Sequence, residues 1–554
     1  MHILEQIQNS FANFIKTKFN LPHDTQLPIN LELNIDRPRA QFGDLNSNIA
    51  MLLAKQLKQN PQAIAQLIII EYQAPNEIEK IEFAAPGFIN ITLKKSVFVK
   101  LLNEINQQKA SFFKPSNLKS RKYLIEFVSA NPTGPMHLGH GRGAIIGDVL
   151  GNVLKFNGHL VTKEFYINDA GNQINKLGLS LKIRCQQALG INIELPEAAY
   201  HGEYLRELAH GCIADYGPTI LEKPDSFFAH YGKEKLLDAI KHTLLDYGVK
   251  FDIWFSEKSL HESQAITQAL AQLKLNNYTY EKDQATWFKS TEFGDDKDRV
   301  VCKSDGELTY VAADIAYLKN KVDRGAEHLV MILGQDHHSY ATRLQGLKQA
   351  LGLTNLPLDI IIYQLVSMQA SGEAVRMSKR AGNIVTLLGV IETVGKDVAR
   401  FFYLNRKADS QLEFNLDLAL TKTEENPVYY IQYALVRIRS ILRKAQTLTP
   451  EIKFDLTNTE SITGYISEPE YLVLKKIIAL KDILAAIENT QHTHLLAYYS
   501  LELAKLFHAY YGQHKVLDPE QPELSSARLL VLEQLENTLE LTLKLMGLDT
   551  PESM

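Results

Sequence analysis

A chain of 554 residues exceeds what one hydrophobic core organises, so three or four structural units are expected. Its 45% hydrophobic and 22% charged residues are those of an ordinary globular protein, which excludes disordered and fibrous classes. A net charge of -5 leaves a nucleic-acid partner open, since local basic faces make phosphate contacts, but no basic tail advertises one.

The chain opens with a helical pattern in Ile3, Ile7, Phe11, Phe14 and Ile15, followed by strand-like alternation at Leu31, Leu33 and Ile35. Residues 1–117 therefore read as an α+β module, closed by a linker through Lys114, Pro115, Ser116 and Asn117. Glu5 lies in a start that lacks a basic flank and apolar core, so no signal peptide is expected. Apolar runs such as 67–70 and 360–363 are too short to cross a bilayer, so no membrane association is expected. Cys185, Cys212 and Cys302 are scattered without a Cys-x-x-Cys pair, which points to a reducing cytoplasm.

An apolar strand at 123–128 precedes a Pro- and Gly-containing loop, and Ile145, Ile146, Val149, Leu150, Val153 and Leu154 then recur at helical spacing. Gly158 ends that helix and a second strand follows at 161–167, completing a βαβ unit. Residues 175–295 are less regular, with helices at 204–216 and 233–247, and read as an insertion. Strands return at 329–333 and 359–363 around a helix at 342–351, the second half of the same fold. Beyond 415 only helical periods remain, at 429–445, 471–487, 495–511 and 526–546. The expected architecture is multidomain: an α+β N-terminal domain (1–117), an α/β Rossmann-like nucleotide-binding core (118–415) with an insertion, and an all-α C-terminal helical bundle (416–554).

Gly139, Gly141 and Ala144 match the dinucleotide fingerprint G-x-G-x-x-A, with Glu164 about 20 residues on as a ribose-binding acid. That pattern makes a nicotinamide-dependent oxidoreductase one reading. Against it, residues 129–138 separate the strand from the first glycine, where the fingerprint needs an immediate tight turn. His137 and His140, three apart at the helix start, can instead donate to phosphate oxygens that gain charge during displacement at the α-phosphorus. Gly139 between them would let an adenine approach, and a plain helix cap is the alternative. Downstream, Lys379 with Arg376, Met377, Ser378 and Arg380 forms a cationic loop able to reach the β- and γ-phosphates, unless it is a solvated surface loop. The run Asp336, His337, His338 offers metal donors without zinc spacing, and no metal site is assigned.

The two motifs resemble the HIGH and KMSKS elements of class I aminoacyl-tRNA synthetases. The run Ser129, Ala130, Asn131, Pro132, Thr133, Gly134, Pro135, Met136, His137, Leu138, Gly139, His140 is similar to the arginyl-tRNA synthetase form of the first. So are Tyr166-Ile167-Asn168-Asp169-Ala170-Gly171-Asn172-Gln173 and Gly334-Gln335-Asp336-His337-His338. Arg37-Pro38-Arg39 and Pro86-Gly87-Phe88-Ile89-Asn90 resemble the family's N-terminal tRNA-binding module, and the run from Asn426 to Ala434 and the terminal Pro551, Glu552, Ser553 and Met554 are family-like. The second motif departs from the pattern at Arg376 and Arg380 but keeps Lys379, while Gly134 stands where many relatives carry their lysine.

The resemblance implies ATP-dependent attachment of L-arginine to tRNA(Arg) through arginyl-adenylate, with Mg2+, initial transfer to the 2'-hydroxyl and activation that waits for tRNA. A non-enzymatic tRNA-binding homologue is the other alternative. The synthetase resemblance implies His137, His140 and Lys379 as catalytic groups, and Pro135, Gly139, Asp336, His337, Met377 and Ser378 beside them at ATP. Arginine needs a bidentate carboxylate. Tyr310 and Asp314, at i and i+4 on a predicted helix, can present a phenol and a carboxylate to one pocket, and the family assigns them to arginine with Glu126, Asn131 and Gln335. Without that resemblance, an ordinary helix-face acid is the favoured reading of Asp314. For tRNA, the helix at 429–444 offers Tyr433, Arg437, Arg439 and Arg443, with about half of its tyrosines expected in the core. A monomer is expected.

Overall fold

Tyr123, Leu124, Ile125 and Phe127 are buried on both faces of one strand, the pattern of a central strand in a parallel sheet. In the computed structural model, which describes residues 2–22, 29, 31–35, 42–116, 118–374, 385–448 and 464–554, this is β1 (Lys122–Phe127). With β2 (Leu160–Ile167), β3 (Ile253–Ser256), β4 (His328–Gly334) and β5 (Leu358–Tyr363) it forms a sheet of order β5-β4-β1-β2-β3, parallel throughout. The chain steps outward from β1 to β3 and then returns to start β4 on the other side of β1. That reversal opens a crevice at the carboxyl ends of β1 and β4, where open α/β sheets bind ligands.

The stretch expected as an insertion contributes β3 to this sheet, so its middle belongs to the core fold. Around β3 lie α2 (Asn172–Ala188), α3 (Tyr204–Tyr216), α4 (Asp225–Asp246) and the short α5 (Lys258–Glu262). The helix expected at 233–247 thus begins a full two turns earlier, where Pro224 and Asp225 supply the start. The fold continues through α6 (Tyr310–Asp323) and α7 (His338–Ala350) to β5.

The crossing from β1 to β2 is α1 (Leu138–Asn157), the HG helix, whose start carries the His137 and His140 pair. Gly143, Gly147 and Gly151 form one face of it. A Cβ at Gly143 would sit 2.7 Å from the Tyr363 ring, and one at Gly147 would overlap the Phe127 ring, so bare glycines let the helix lie directly on the sheet. Gly158, at φ +109°, closes the helix as the sequence anticipates. Beneath it Asp148 accepts Lys163 Nζ at 2.6 Å and Arg400 Nη2 at 2.5 Å. Burial alone would raise this carboxyl; the two cations hold it below its ordinary value.

The N-terminal module packs helices Ile3–Lys18 and Lys95–Gln108 with a four-stranded antiparallel sheet. Helices Pro427–Leu448, Glu468–Ile478, Leu480–Thr490, His494–Gln513 and Pro522–Met546 form the C-terminal bundle. The single helix expected at 471–487 is two, divided at Ala479. Lys475 pairs with buried Asp44, and Lys481 with Glu5 at 2.7 Å, joining the bundle to the N-terminal module. Among the described residues no helix is long and apolar enough to cross a membrane.

Candidate active site

His137 caps the HG helix from the extended region and His140 lies one turn inside it. His137 Nδ1 accepts the Gly139 N–H at 3.1 Å, and His140 Nδ1 accepts the His137 N–H at 3.2 Å. The cap alternative is therefore realised, through the Nδ1 atom of each ring. Because each Nδ1 is an acceptor, the neutral ring carries its proton on Nε2, and the helix start presents two Nε2–H donors. The rings stack with centroids 3.7 Å apart at 22°. Pro135 and Gly139 are half-buried beside them. The Tyr204 hydroxyl donates to Thr133 O at 2.6 Å, and a Cβ on Gly134 would lie 3.4 Å from it, so α3 steadies the approach loop.

Arg376, Met377, Ser378, Lys379 and Arg380 lie outside the described residues, as do Arg37, Pro38, Arg39 and Asn117. Val385, five residues past Arg380, accepts the Leu138 N–H at 3.1 Å; Leu387 N–H donates to Met136 O at 2.9 Å, and Thr386 bridges His137. Residues 385–387, just downstream of that motif in the sequence, thus lie along the start of the HG helix.

At the carboxyl ends of the strands sits a cluster of acidic side chains, Glu126, Glu257 and Asp314. Glu126 pairs with Lys321 and accepts from Ser129 Oγ at 3.1 Å. Asp314 accepts the Tyr340 hydroxyl at 2.9 Å, and burial pushes its carboxyl up to about 7 against the opposing pulls of Tyr340 and Arg343, with Glu126 and Glu257 adding to the rise. Glu257, 4% exposed at the end of β3, is pushed by burial up to about 7 as well, although the Tyr166 hydroxyl bonds to it. Carboxylates held near neutrality in such a cluster are poised for a cation. Tyr310 stands at the rim, 57% exposed, its hydroxyl 3.4 Å from where a Gly171 Cβ would be; Asp314 lies one turn deeper on α6. Asn131 is exposed on the approach loop and Gln335 half-buried after β4. Asp336 and His337 face solvent there, 3.6 Å apart. Tyr166, Glu257 and Tyr340 join this cluster without having been singled out as candidates from the sequence. Glu257 follows a short aromatic strand, Ile253-Trp254-Phe255-Ser256, whose place beside β2 is a long-range pairing that local pattern does not carry.

The dinucleotide reading fails on geometry. Glu164 is fully buried and accepts from Tyr317 Oη at 2.7 Å and from both terminal nitrogens of Arg324 at 2.5 and 3.0 Å, so its carboxylate is tied up inside the core and closed to a ribose. Gly141 is small to admit Leu387, 2.7 Å from a notional Cβ, rather than a pyrophosphate.

On the bundle, Tyr433 is 49% exposed and stacks on His508, while Arg437 lies 4.9 Å from the Tyr511 ring and donates to its hydroxyl at 3.1 Å. Arg443 is exposed beside Glu552. Arg439 departs from the sequence expectation: it is 7% exposed and donates to Glu536 and to the carbonyls of Thr550 and Pro551, so it ties down the C-terminal tail inside the bundle and is not presented at the surface.

Comparison with known proteins supplies the family. A model of the arginyl tRNA synthetase N terminal domain matches residues 4–93, one of the class I (R) tRNA synthetase catalytic domain residues 101–413, and one of the DALR anticodon binding domain residues 431–554. An arginine–tRNA ligase of Citrifermentans bemidjiense is 40% identical over 559 residues, covering 100% of this chain and 99% of its own. That of Bacillus subtilis is 40% identical with both chains fully covered. The Thermus thermophilus arginyl-tRNA synthetase structure superposes over 100% of both chains with a TM-score of 0.75 at 20% identity, a likeness of fold.

Proposed function

The chain belongs to the class I arginyl-tRNA synthetases and is an ATP-dependent arginine–tRNA ligase, and we propose which of its residues carry each half of the reaction. The arginine carboxylate attacks the α-phosphorus of ATP to give arginyl-adenylate and pyrophosphate; the terminal adenosine of tRNA(Arg) then takes the acyl group and AMP leaves. The observation that carries the assignment is the backbone bridge from His137 to Thr386, which joins the imidazole pair to the residues just downstream of the Lys379 motif in the sequence, beside an acidic cluster on the same sheet.

His137 and His140 donate from Nε2 to the phosphate oxygens as charge develops, and Lys379 stabilises the departing pyrophosphate. Pro135, Gly139, Asp336, His337, Met377 and Ser378 complete the ATP site. Asp314 and Glu257 pair with the substrate guanidinium, with Tyr310 at the rim and Asn131, Glu126 and Gln335 around the amino acid. Glu126 acts partly through Lys321, which already neutralises it. No covalent enzyme intermediate is needed, so acceleration comes from positioning and charge stabilisation. Mg2+ would accompany ATP and would supply charge neutralisation at its phosphates.

Tyr433, Arg437 and Arg443 meet the anticodon arm. The N-terminal module meets the tRNA elbow, supported by a hollow of about 410 Å3 lined by Phe42, Phe88, Asn34, Asn46 and Asn90, an aromatic and amide lining suited to an unstacked base. The proposed division is 1–117, 118–415 and 416–554, acting as a monomer in the cytoplasm; three cysteines without disulfides are consistent with that compartment.

The test is exchange of pyrophosphate into ATP with each amino acid, with and without tRNA. Exchange with arginine and tRNA together is the expected result. Exchange with another amino acid would overturn the substrate, and exchange without tRNA would overturn the requirement for it.

A further inference from the structure

Asp169 lies just beyond β2, at the side of the acidic cluster, and its side chain is 6% exposed. Oδ1 accepts the Ser256 hydroxyl at 2.9 Å and the Lys258 N–H at 3.1 Å. Oδ2 accepts the same hydroxyl at 2.8 Å and the Lys233 ammonium, from α4, at 3.5 Å. Ser256 and Lys258 are the residues on either side of Glu257, and the Glu257 N–H itself donates to Ile167 O at 3.0 Å. Three consecutive residues at the end of β3 are therefore held by the turn at the end of β2.

That grip matters because β3 is a four-residue strand at the edge of the sheet, laddered to β2 alone among the described strands. A short edge strand fixes its own end weakly, whereas a buried carboxylate bound by a backbone N–H, a hydroxyl and an ammonium fixes it strongly. A pocket that reads a rigid, planar guanidinium loses affinity when its carboxylate is displaced by a fraction of an ångström.

We propose that Asp169 is a positioning residue for arginine recognition: by clasping Ser256 and Lys258 it aims the Glu257 carboxylate at the substrate guanidinium. The inference rests on the reading that Glu257 pairs with arginine. Asn at this position keeps the shape and turns one acceptor into a donor, which opposes the hydroxyl or N–H donors and releases Lys233.

The experiment uses the full-length enzyme with saturating tRNA, and compares Asp169→Asn, Ser256→Ala, Glu257→Gln and the Asp169→Asn, Glu257→Gln double variant. Steady-state charging gives KM for arginine, KM for ATP and kcat, and thermal melting reports folding. Asp169→Asn raises the arginine KM by about tenfold and leaves the ATP KM within about twofold, the size of one charge-assisted hydrogen-bond set. Ser256→Ala raises the same constant by less, and it decides the matter if Asp169→Asn does not fold. In the Glu257→Gln background Asp169→Asn adds less than about twofold, since the group it aims is gone. An unchanged arginine KM, or an equal loss across arginine, ATP and melting temperature, overturns the proposal while Glu257→Gln still raises the arginine KM. If Glu257→Gln itself leaves the arginine KM unchanged, the guanidinium reading fails and the positioning role falls with it.

Discussion

At the ends of β3 and α6 two carboxylates, Glu257 and Asp314, are pushed by burial up to about 7. A carboxyl raised in the folded state contributes stability below its unfolded value and loses it as pH rises through the folded one, so the unliganded cluster weakens the fold between about pH 4 and 8. Bound arginine reverses that, because its guanidinium favours the ionised carboxylates. The arginine KM is therefore expected to rise about tenfold between pH 8 and pH 6, measured by charging with tRNA saturating, and arginine should raise the melting temperature more at pH 8 than at pH 6. A KM flat across that range would mean that neither acid meets the guanidinium. Lys379→Ala should slow arginine activation by a factor of about 100 or more while tRNA affinity stays within about twofold, read by single-turnover kinetics and filter binding. An unchanged rate would remove Lys379 from the mechanism. At this scale the imidazole pair and the Tyr310 and Asp314 spacing were readable as local patterns, while Lys379, picked out in the same way, lies outside the described residues. Glu257 was not readable, because its position depends on which strand lies next to β2.

The HG helix is the element on which the site rests. Its length and its glycine stop were readable from periodicity, but the use of Gly143, Gly147 and Gly151 was not, since their partners Tyr363, Phe127 and Lys163 come from three strands. Gly147→Val should force the helix off β1 and cost about 1–3 kcal/mol or more, seen as a lower melting temperature, whereas Gly512→Ala, with nothing within 4 Å, should cost little. Equal melting of the two variants would contradict the close-packed crossing. The division at Ala479 escaped the sequence for a related reason: the apolar period runs on through Ile478, Leu480 and Leu484, all buried, so no polar gap marks the bend.

Across the whole molecule, Arg400 links the parts. Its guanidinium reaches Asp148 on the HG helix, Tyr247 O after α4 and Met546 O at the end of the last bundle helix. Such long-range ties are invisible in a sequence, where 148, 247, 400 and 546 are simply far apart; what was legible was the order of α+β, α/β and helical segments. Arg400→Met should leave Asp148 with one cation, Lys163, beside the Asn152 amide and destabilise by about 3–5 kcal/mol, the cost of breaking a buried ion pair from one side, measured by denaturant unfolding. A loss under about 1 kcal/mol would show that the bundle and core are joined without it. The central claim is that these parts form one arginine-charging machine, and the most direct measurement is formation of labelled aminoacyl-tRNA(Arg) from ATP and each of the twenty amino acids. The structure predicts charging with arginine, abolished or slowed at least about 100-fold by Lys379→Ala; no charging with arginine, or equal charging with lysine, would contradict it.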